Sequence, residues 1–194
     1  MWKHSCQFAA IVLAAGLGLT RSFVYADEPN PTIGITVDDR NSSFTPSLPR
    51  AKAIASKIYE RAGVTLRWIA DDTTTVNRML TVVIITSAMA PAGVAADATG
   101  VAPTPGDGSR GTTAFVFSDR VAAFAKAHRL GESDVLAAAL AHEIGHLLLP
   151  PNAHAANGIM RASWRPAFFP PKAPGIDGFP PEQARLLRLR ALSR

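Results

Sequence analysis

The sequence predicts an α+β domain, and the order of its first elements supports this prediction. Residues 33–37 alternate apolar with small or polar side chains, as a β-strand does. Residues 48–62 place apolar side chains at helical spacing before Gly63, which is typical of a helix end. Strands are predicted next at residues 64–69 and at residues 79–86, where an apolar run indicates burial on both faces. A strand, a helix and two further strands are typical of α/β and α+β domains.

The second half of the chain adds further strands and three helices. Within an Ala-, Gly- and Pro-rich segment, residues 99–102 could form a short edge strand before a turn at 103–108. The remaining predicted elements are a strand at 112–117 and helices at 121–128, 133–149 and 182–192. The helix at 133–149 should begin near Glu132 or Ser133 and end at Pro150.

The first 26 residues are typical of a secretory signal peptide. A polar start, an uncharged apolar run at 8–19 and a small-x-small ending at 24–26 predict cleavage after Ala26. Cleavage would remove Lys3 and Arg21, which lowers the basic residues from 20 to 18 against 15 acidic ones and the net charge from +5 to +3. No later segment reaches the roughly 18 uncharged apolar residues that a membrane-spanning helix needs.

The mature chain, residues 27–194, has the length of one ordinary domain. Its expected location is extracellular or periplasmic, without a membrane anchor. The only cysteine, Cys6, leaves with the signal peptide, so neither a disulfide nor a thiolate ligand is expected. The mild positive charge and the arginines of the last helix indicate a solvated helix face rather than a nucleic-acid surface.

A His-Glu-x-x-His motif lies within the helix predicted at 133–149. His142 and His146 are four residues apart, so their imidazoles lie one turn apart on the same helix face, at a spacing that suits a tetrahedral Zn²⁺. Glu143 can reach a metal-activated water and serve as its general base, which predicts amide hydrolysis. The motif also occurs by chance, and two such histidines can be ordinary surface residues.

A catalytic zinc site usually has three protein ligands and one water. His154 follows His146 by eight residues, and Pro150 and Pro151 end the helix between them, so His154 is the predicted third ligand. Glu182 is the alternative third ligand. A carboxylate in the first turn of a helix is, however, expected for its interaction with the helix dipole.

Residues 142–160 resemble the metzincin metallopeptidases, particularly their matrixin-like and archaemetzincin-like branches. In that family the extended motif supplies three histidines and a general-base Glu, and a methionine turn lies beneath the zinc. The resemblance implies that Gly158, Ile159 and Met160 form this turn. It also implies a twisted mixed sheet with an edge strand over the active-site helix. The upper lobe would span about 32–149 and a short lower lobe about 150–194, ending in the final helix.

The resemblance further implies where a substrate would bind. Gly100, Val101 and Ala102 resemble the edge strand that pairs antiparallel with an extended peptide in the family. Beyond the methionine turn, the aromatic residues Trp164, Phe168 and Phe169 are candidates for a specificity pocket, although each could equally belong to the core.

Four features depart from the family pattern. The third histidine usually lies six residues after the second, where this chain has Asn152, and Leu149 stands where the family has a glycine. No tyrosine follows Met160, and the mature chain has no cysteine for a latency switch.

The predicted function is therefore a secreted, monomeric, zinc-dependent peptidase that acts on a peptide or protein substrate, with Glu143 as general base. The alternative is a catalytically weak, zinc-stabilised extracellular binding protein on the same fold. A third hypothesis is a hydrolase of another fold that takes Glu182 as its ligand.

Overall fold

A computed structural model describes residues 29–70, 79–106, 111–169 and 176–193 of the chain. The predicted signal peptide lies outside these ranges. The strands are β1 (Thr32–Asp39), β2 (Thr65–Ile69), β3 (Met79–Ile85), β4 (Gly100–Val101) and β5 (Thr113–Phe117). The helices are α1 (Leu48–Arg61), α2 (Ser118–His128), α3 (Glu132–Leu148) and α4 (Pro181–Leu192).

The strands form one five-stranded sheet in the order β2-β1-β3-β5-β4. The first four strands are parallel, and β4 is antiparallel to β5, with Gly100 opposite Val116 and Val101 opposite Phe115. This mostly parallel sheet with four described helices is compatible with the predicted α+β class. The short strand predicted around residue 100 is confirmed as the sheet's edge, although it ends before Ala102 because Pro103 has no N–H to continue the ladder.

Alternate side chains of the central strands enter two separate apolar clusters. Leu80, Val82 and Ile84 of β3 belong to the main core with α1 and α3, whereas Val83 and Ile85 pack on the opposite face with Phe117. The prediction that this strand is buried on both faces is therefore confirmed. Burial on both faces holds the strand register firmly, because a slip by one residue would exchange the two sets of side chains.

Helix α3 lies inside the protein rather than on its surface. From Val135 to Leu149 every residue is buried except His146, and the helix packs against α1, α2, α4 and the sheet. Alanines at four positions of this helix allow the neighbouring elements to approach it closely. In the parts of the chain that the structure describes, the buried polar or charged residues are Ser118, His142 and Glu143. Two of these three lie on α3, where a buried polar side chain requires a specific partner.

Three helix starts differ from their predicted positions, and the smallest differences are of one residue, as for α4 at Pro181. Helix α2 begins at Ser118, directly after β5, rather than at residue 121. Helix α3 begins one residue earlier than its predicted bounds, with Gly131 as N-cap, because the Gly131 carbonyl accepts hydrogen bonds from the backbone N–H groups of Asp134 and Val135. The end of α1 is as predicted, with Gly63 at a φ of 75°.

The C-terminal segment is fixed to the body of the fold by burial and by hydrogen bonds. Leu187 and Ala191 of α4 are buried, and the Arg188 guanidinium donates to the Ala62 carbonyl over 2.8 Å. The Arg61 guanidinium donates to the Ile176 carbonyl over 2.7 Å. Among the residues described, no helix has both the length and the apolar character that crossing a membrane requires.

Candidate metal centre

The ring nitrogens of two histidines on α3 lie close together. His142 and His146 lie one turn apart, with 3.0 Å between their Nε2 atoms. His142 is only 8% exposed, and His146 is half-buried. The four-residue spacing of the motif therefore brings both ring nitrogens together, as predicted.

The loop after α3 brings the third histidine to the same point. The helix ends at Leu148, and Asn152 then takes a left-handed conformation with a φ of 59°. Asparagine tolerates this conformation better than most residues do, and it turns the chain back. His154 Nε2 consequently lies 3.2 Å from His146 Nε2. This turn therefore accommodates the eight-residue spacing between His146 and His154.

A backbone carbonyl fixes the orientation of the innermost histidine. The ring atom Nδ1 of His142 lies 2.9 Å from the Ile159 carbonyl oxygen. Since a carbonyl only accepts, the proton is assigned to Nδ1, and the Nε2 lone pair is free to bind a metal. Such a hydrogen bond commonly holds metal-ligating histidines in place.

The three histidines lie close enough to bind a metal ion. Their ligand atoms all lie within 4.8 Å of one another. Zinc bound tetrahedrally at about 2.0–2.1 Å would separate two nitrogens by roughly 3.3 Å, close to the observed 3.0 and 3.2 Å. Hydrogen bonds alone could not satisfy both contacts, because His146 Nε2 carries either one proton or one lone pair and cannot donate to His142 while it accepts from His154. Glu182 is exposed at the start of α4, outside this group.

Burial keeps the two helix histidines in the form that binds metals. Removal from water lowers the pKa of His142 to about 4, although the hydrogen bond to Ile159 opposes this change. Burial, helped by the neighbouring His142 and His154, lowers the pKa of His146 to about 3. Both imidazoles are therefore neutral near pH 7, as metal binding requires.

Glu143 lies beside the cluster in an unusual environment for a carboxyl group. It is 3% exposed, and burial raises its pKa to about 8. Its Oε2 atom accepts no hydrogen bond from any residue that the structure describes. A buried acceptor without a partner lowers the stability of the folded chain. Such groups are common at sites where a side chain serves chemistry rather than stability.

The edge strand lies directly against this carboxyl group. A Cβ atom at Gly100 would lie 2.7 Å from both Cγ and Oε1 of Glu143, and 2.6 Å from the Phe115 carbonyl oxygen. Only glycine fits there without displacing these atoms. The structure thus brings the edge strand and the predicted general base together.

Met160 lies beneath the ligand-bearing turn of α3. Its side chain is fully buried, and a Cβ atom at Gly145 would approach its Sδ to 2.5 Å. The tight turn is closed by a hydrogen bond from Ala155 N–H to the Met160 carbonyl, and Gly158 has a φ of 75°. A turn ending in methionine is therefore present at the predicted position.

These elements surround a cleft of about 490 Å³. One wall contains Gly100, Val101 and Ala102, all three of the predicted substrate-binding residues. Another wall is residues 161–164, the four residues that follow the methionine, and it ends with Trp164. Phe168 and Phe169 instead pack in the core, with 4% and 6% exposure.

Several further residues line the cleft without having been identified from the sequence, among them Phe124, Asn152 and Arg161. Arg161 directly follows the methionine turn, and its position there could have marked it. Nothing in the local pattern of α2 distinguishes Phe124, whose place depends on tertiary packing. His128, the remaining histidine of the described residues, is exposed and contacts the Phe124 ring, outside the cluster.

The sequence matches no protein-family model, and no curated protein is significantly similar to it. The function must therefore be argued from the residues of this site.

Proposed function

We propose that the chain is an exported zinc-dependent peptidase that hydrolyses peptide bonds in the cleft. His142, His146 and His154 would hold Zn²⁺, and Glu143 would be the general base. The observation that carries this proposal is the buried carboxyl group next to three histidines whose Nε2 atoms converge. A purely structural zinc site is normally closed by four protein ligands and has no need of such a carboxylate.

Zinc bound by three protein ligands polarises a carbonyl group and lowers the pKa of a water molecule. The positive charge of a bound zinc ion would favour the ionised form of Glu143 and so oppose the effect of burial on its pKa. The carboxylate of Glu143 would then take a proton from the attacking water and later pass it to the leaving amine. Its Oε2 atom has no partner among the described residues, so no hydrogen bond within them must break first.

The edge strand supports a peptide as the substrate. Among the strands that the structure describes, β4 pairs with β5 alone, and both of its residues line the cleft. The backbone of an extended peptide could add to that open edge, which gives affinity with little dependence on sequence. The resemblance to metzincins and the predicted signal peptide agree with an extracellular or periplasmic enzyme that acts as a monomer.

The test is to measure zinc content and peptide cleavage for residues 27–194 and for the Glu143→Ala variant. One zinc per chain is expected in both proteins. Cleavage of a quenched peptide library should fall by about 10²–10⁴-fold in the variant, the usual effect of losing a general base. Glu182→Ala is the matched control, because it removes an exposed carboxylate outside the cluster and should keep both zinc and cleavage.

Other outcomes would favour the alternatives. Zinc without cleavage in the unchanged protein would indicate a catalytically weak, zinc-stabilised binding protein. Loss of zinc in Glu182→Ala alone would favour a hydrolase that uses Glu182 as a ligand, and absence of zinc from all three proteins would overturn the proposal.

A further inference from the structure

Arg161 is a cationic side chain on the wall of the cleft. It follows Met160 directly and is half-buried. The ion pairs of the described residues join Arg40 to Asp38 and Arg50 to Asp134, and none involves Arg161. A half-buried guanidinium without an anionic partner has five N–H donors available for a ligand.

The ring of Trp164 forms part of the same wall. The indole Nε1 of Trp164 is buried and has no acceptor among the residues that the structure describes. The ring is held by an edge contact with His142 and by stacking on Phe168, with centroid separations of 5.6 and 5.9 Å. Between Arg161 and Trp164 the chain has only the small residues Ala162 and Ser163, which leave space in the cleft.

The opposite wall has a different charge. Asp97 lies in the loop before β4, is exposed and lines the cleft with the edge strand. The remaining acidic residue of the cleft lining, Glu143, is enclosed against Gly100. The cleft is thus cationic on the side of residues 161–164 and anionic at Asp97.

We propose that Arg161 binds a carboxylate of the substrate and makes the cleft selective for acidic peptides. A carboxylate accepts hydrogen bonds through both oxygens, and a guanidinium can donate two parallel hydrogen bonds to it. The carboxylate belongs either to an acidic side chain or to the C-terminus of the peptide. This inference rests on the proposed peptide-binding role of the cleft.

Binding is measured by fluorescence anisotropy with the zinc-loaded Glu143→Ala protein, so that the probes are not consumed. The probes are labelled short peptides that differ at one position, which carries Asp, Asn or Lys, each with a free or an amidated C-terminus. Tighter binding of the Asp peptide than of the Asn peptide would identify an acidic side chain as the bound carboxylate. Tighter binding of the free-acid peptide than of its amide would identify the C-terminus instead. The favoured carboxylate should bind about tenfold more tightly than its neutral counterpart, as one charge-assisted hydrogen bond in a partly buried site allows.

Arg161→Gln should abolish this selectivity while leaving the affinity for neutral peptides unchanged. Arg165→Gln is the matched control, because Arg165 is exposed on the same segment and does not line the cleft. In the active protein, Arg161→Gln should raise KM for the favoured peptides and leave kcat unchanged.

Equal affinities for charged and neutral peptides, or the same selectivity in Arg161→Gln, would overturn the inference. An equal loss of kcat for every peptide would also overturn it, because Arg161 would then act at the reacting carbonyl. Selective binding without any cleavage would leave the carboxylate site standing and contradict the peptidase. Cleavage without selectivity would support the peptidase and contradict the carboxylate site.

Discussion

Helix α3 and the loop at 149–164 place metal-binding groups by different means. On α3, the helical repeat fixes His142 and His146, and burial on all sides holds the helix. In the loop, His154 is exposed, and its position depends on the left-handed Asn152 and on the turn that ends at Met160. The helix therefore offers a preformed pair of ligands, whereas the loop completes the site at the cost of ordering a more exposed segment.

The largest expected effect is the loss of zinc affinity when one histidine is removed from either region. Even loss of a hydrogen-bond partner of a ligand costs about 10–100-fold in metal affinity, so His146→Ala and His154→Ala should each lose more than about a hundredfold. We expect the greater loss for His146→Ala, because it leaves one ligand on the helix and one in the loop. Zinc competition titrations would measure this order.

His128→Ala is the control for these two variants, since it removes an exposed histidine outside the cluster. Its zinc affinity should be unchanged. A greater loss in His154→Ala than in His146→Ala would reverse the comparison and make the loop the principal binding element.

The pH dependence of stability in metal-free protein tests the burial of α3. The pKa of Glu143 is raised from 4.5 in the unfolded chain to about 8 in the folded chain. Unfolding at a pH between these two values therefore releases a proton. Stability should therefore fall as the pH rises through this range, by about 1.5 kcal/mol between pH 6.5 and 8. Below pH 6.5, the lowered pKa values of His142 and His146 act in the opposite direction, because the unfolded chain takes up protons.

Urea unfolding of chelator-treated protein at several pH values would measure this slope. Glu143→Gln should remove it above pH 6.5, since the amide does not titrate. An unchanged slope in this variant would show that the burial of the carboxyl group is not its cause.

The smallest expected effect tests the backbone of the loop. Asn152→Ala forces an alanine into a left-handed conformation and should destabilise the protein by about 1 kcal/mol, whereas Asn152→Gly should have little effect. Thermal unfolding of the zinc-loaded proteins would measure the difference. Equal stability of the two variants would mean that the turn does not require a positive φ.

The same contrast explains how much of the site could be predicted from the sequence. The four-residue spacing and the apolar pattern of α3 are local, so the convergence of His142 and His146 and the position of Glu143 on the same helix could be predicted. The strands at 33–37 and 79–86 were predicted for the same reason. His154 was predicted only because a catalytic zinc site usually has three protein ligands. No local sequence pattern specifies how a loop folds back onto the helix before it. The cleft also brings together Arg161, Phe124 and Asp97. Their proximity depends on contacts between distant parts of the chain, which local patterns do not encode.

Ile159 connects two distant parts of the molecule through a single residue. Its carbonyl accepts from His142, and its N–H donates to the Gly178 carbonyl, just before α4. An ion that immobilises the His142 ring therefore also steadies the attachment of the C-terminal helix, because binding to the folded form opposes local opening. Where proteases are present, the lifetime of the folded chain would then depend on the local supply of the ion, and withdrawal of the ion would expose the C-terminal helix to cleavage first.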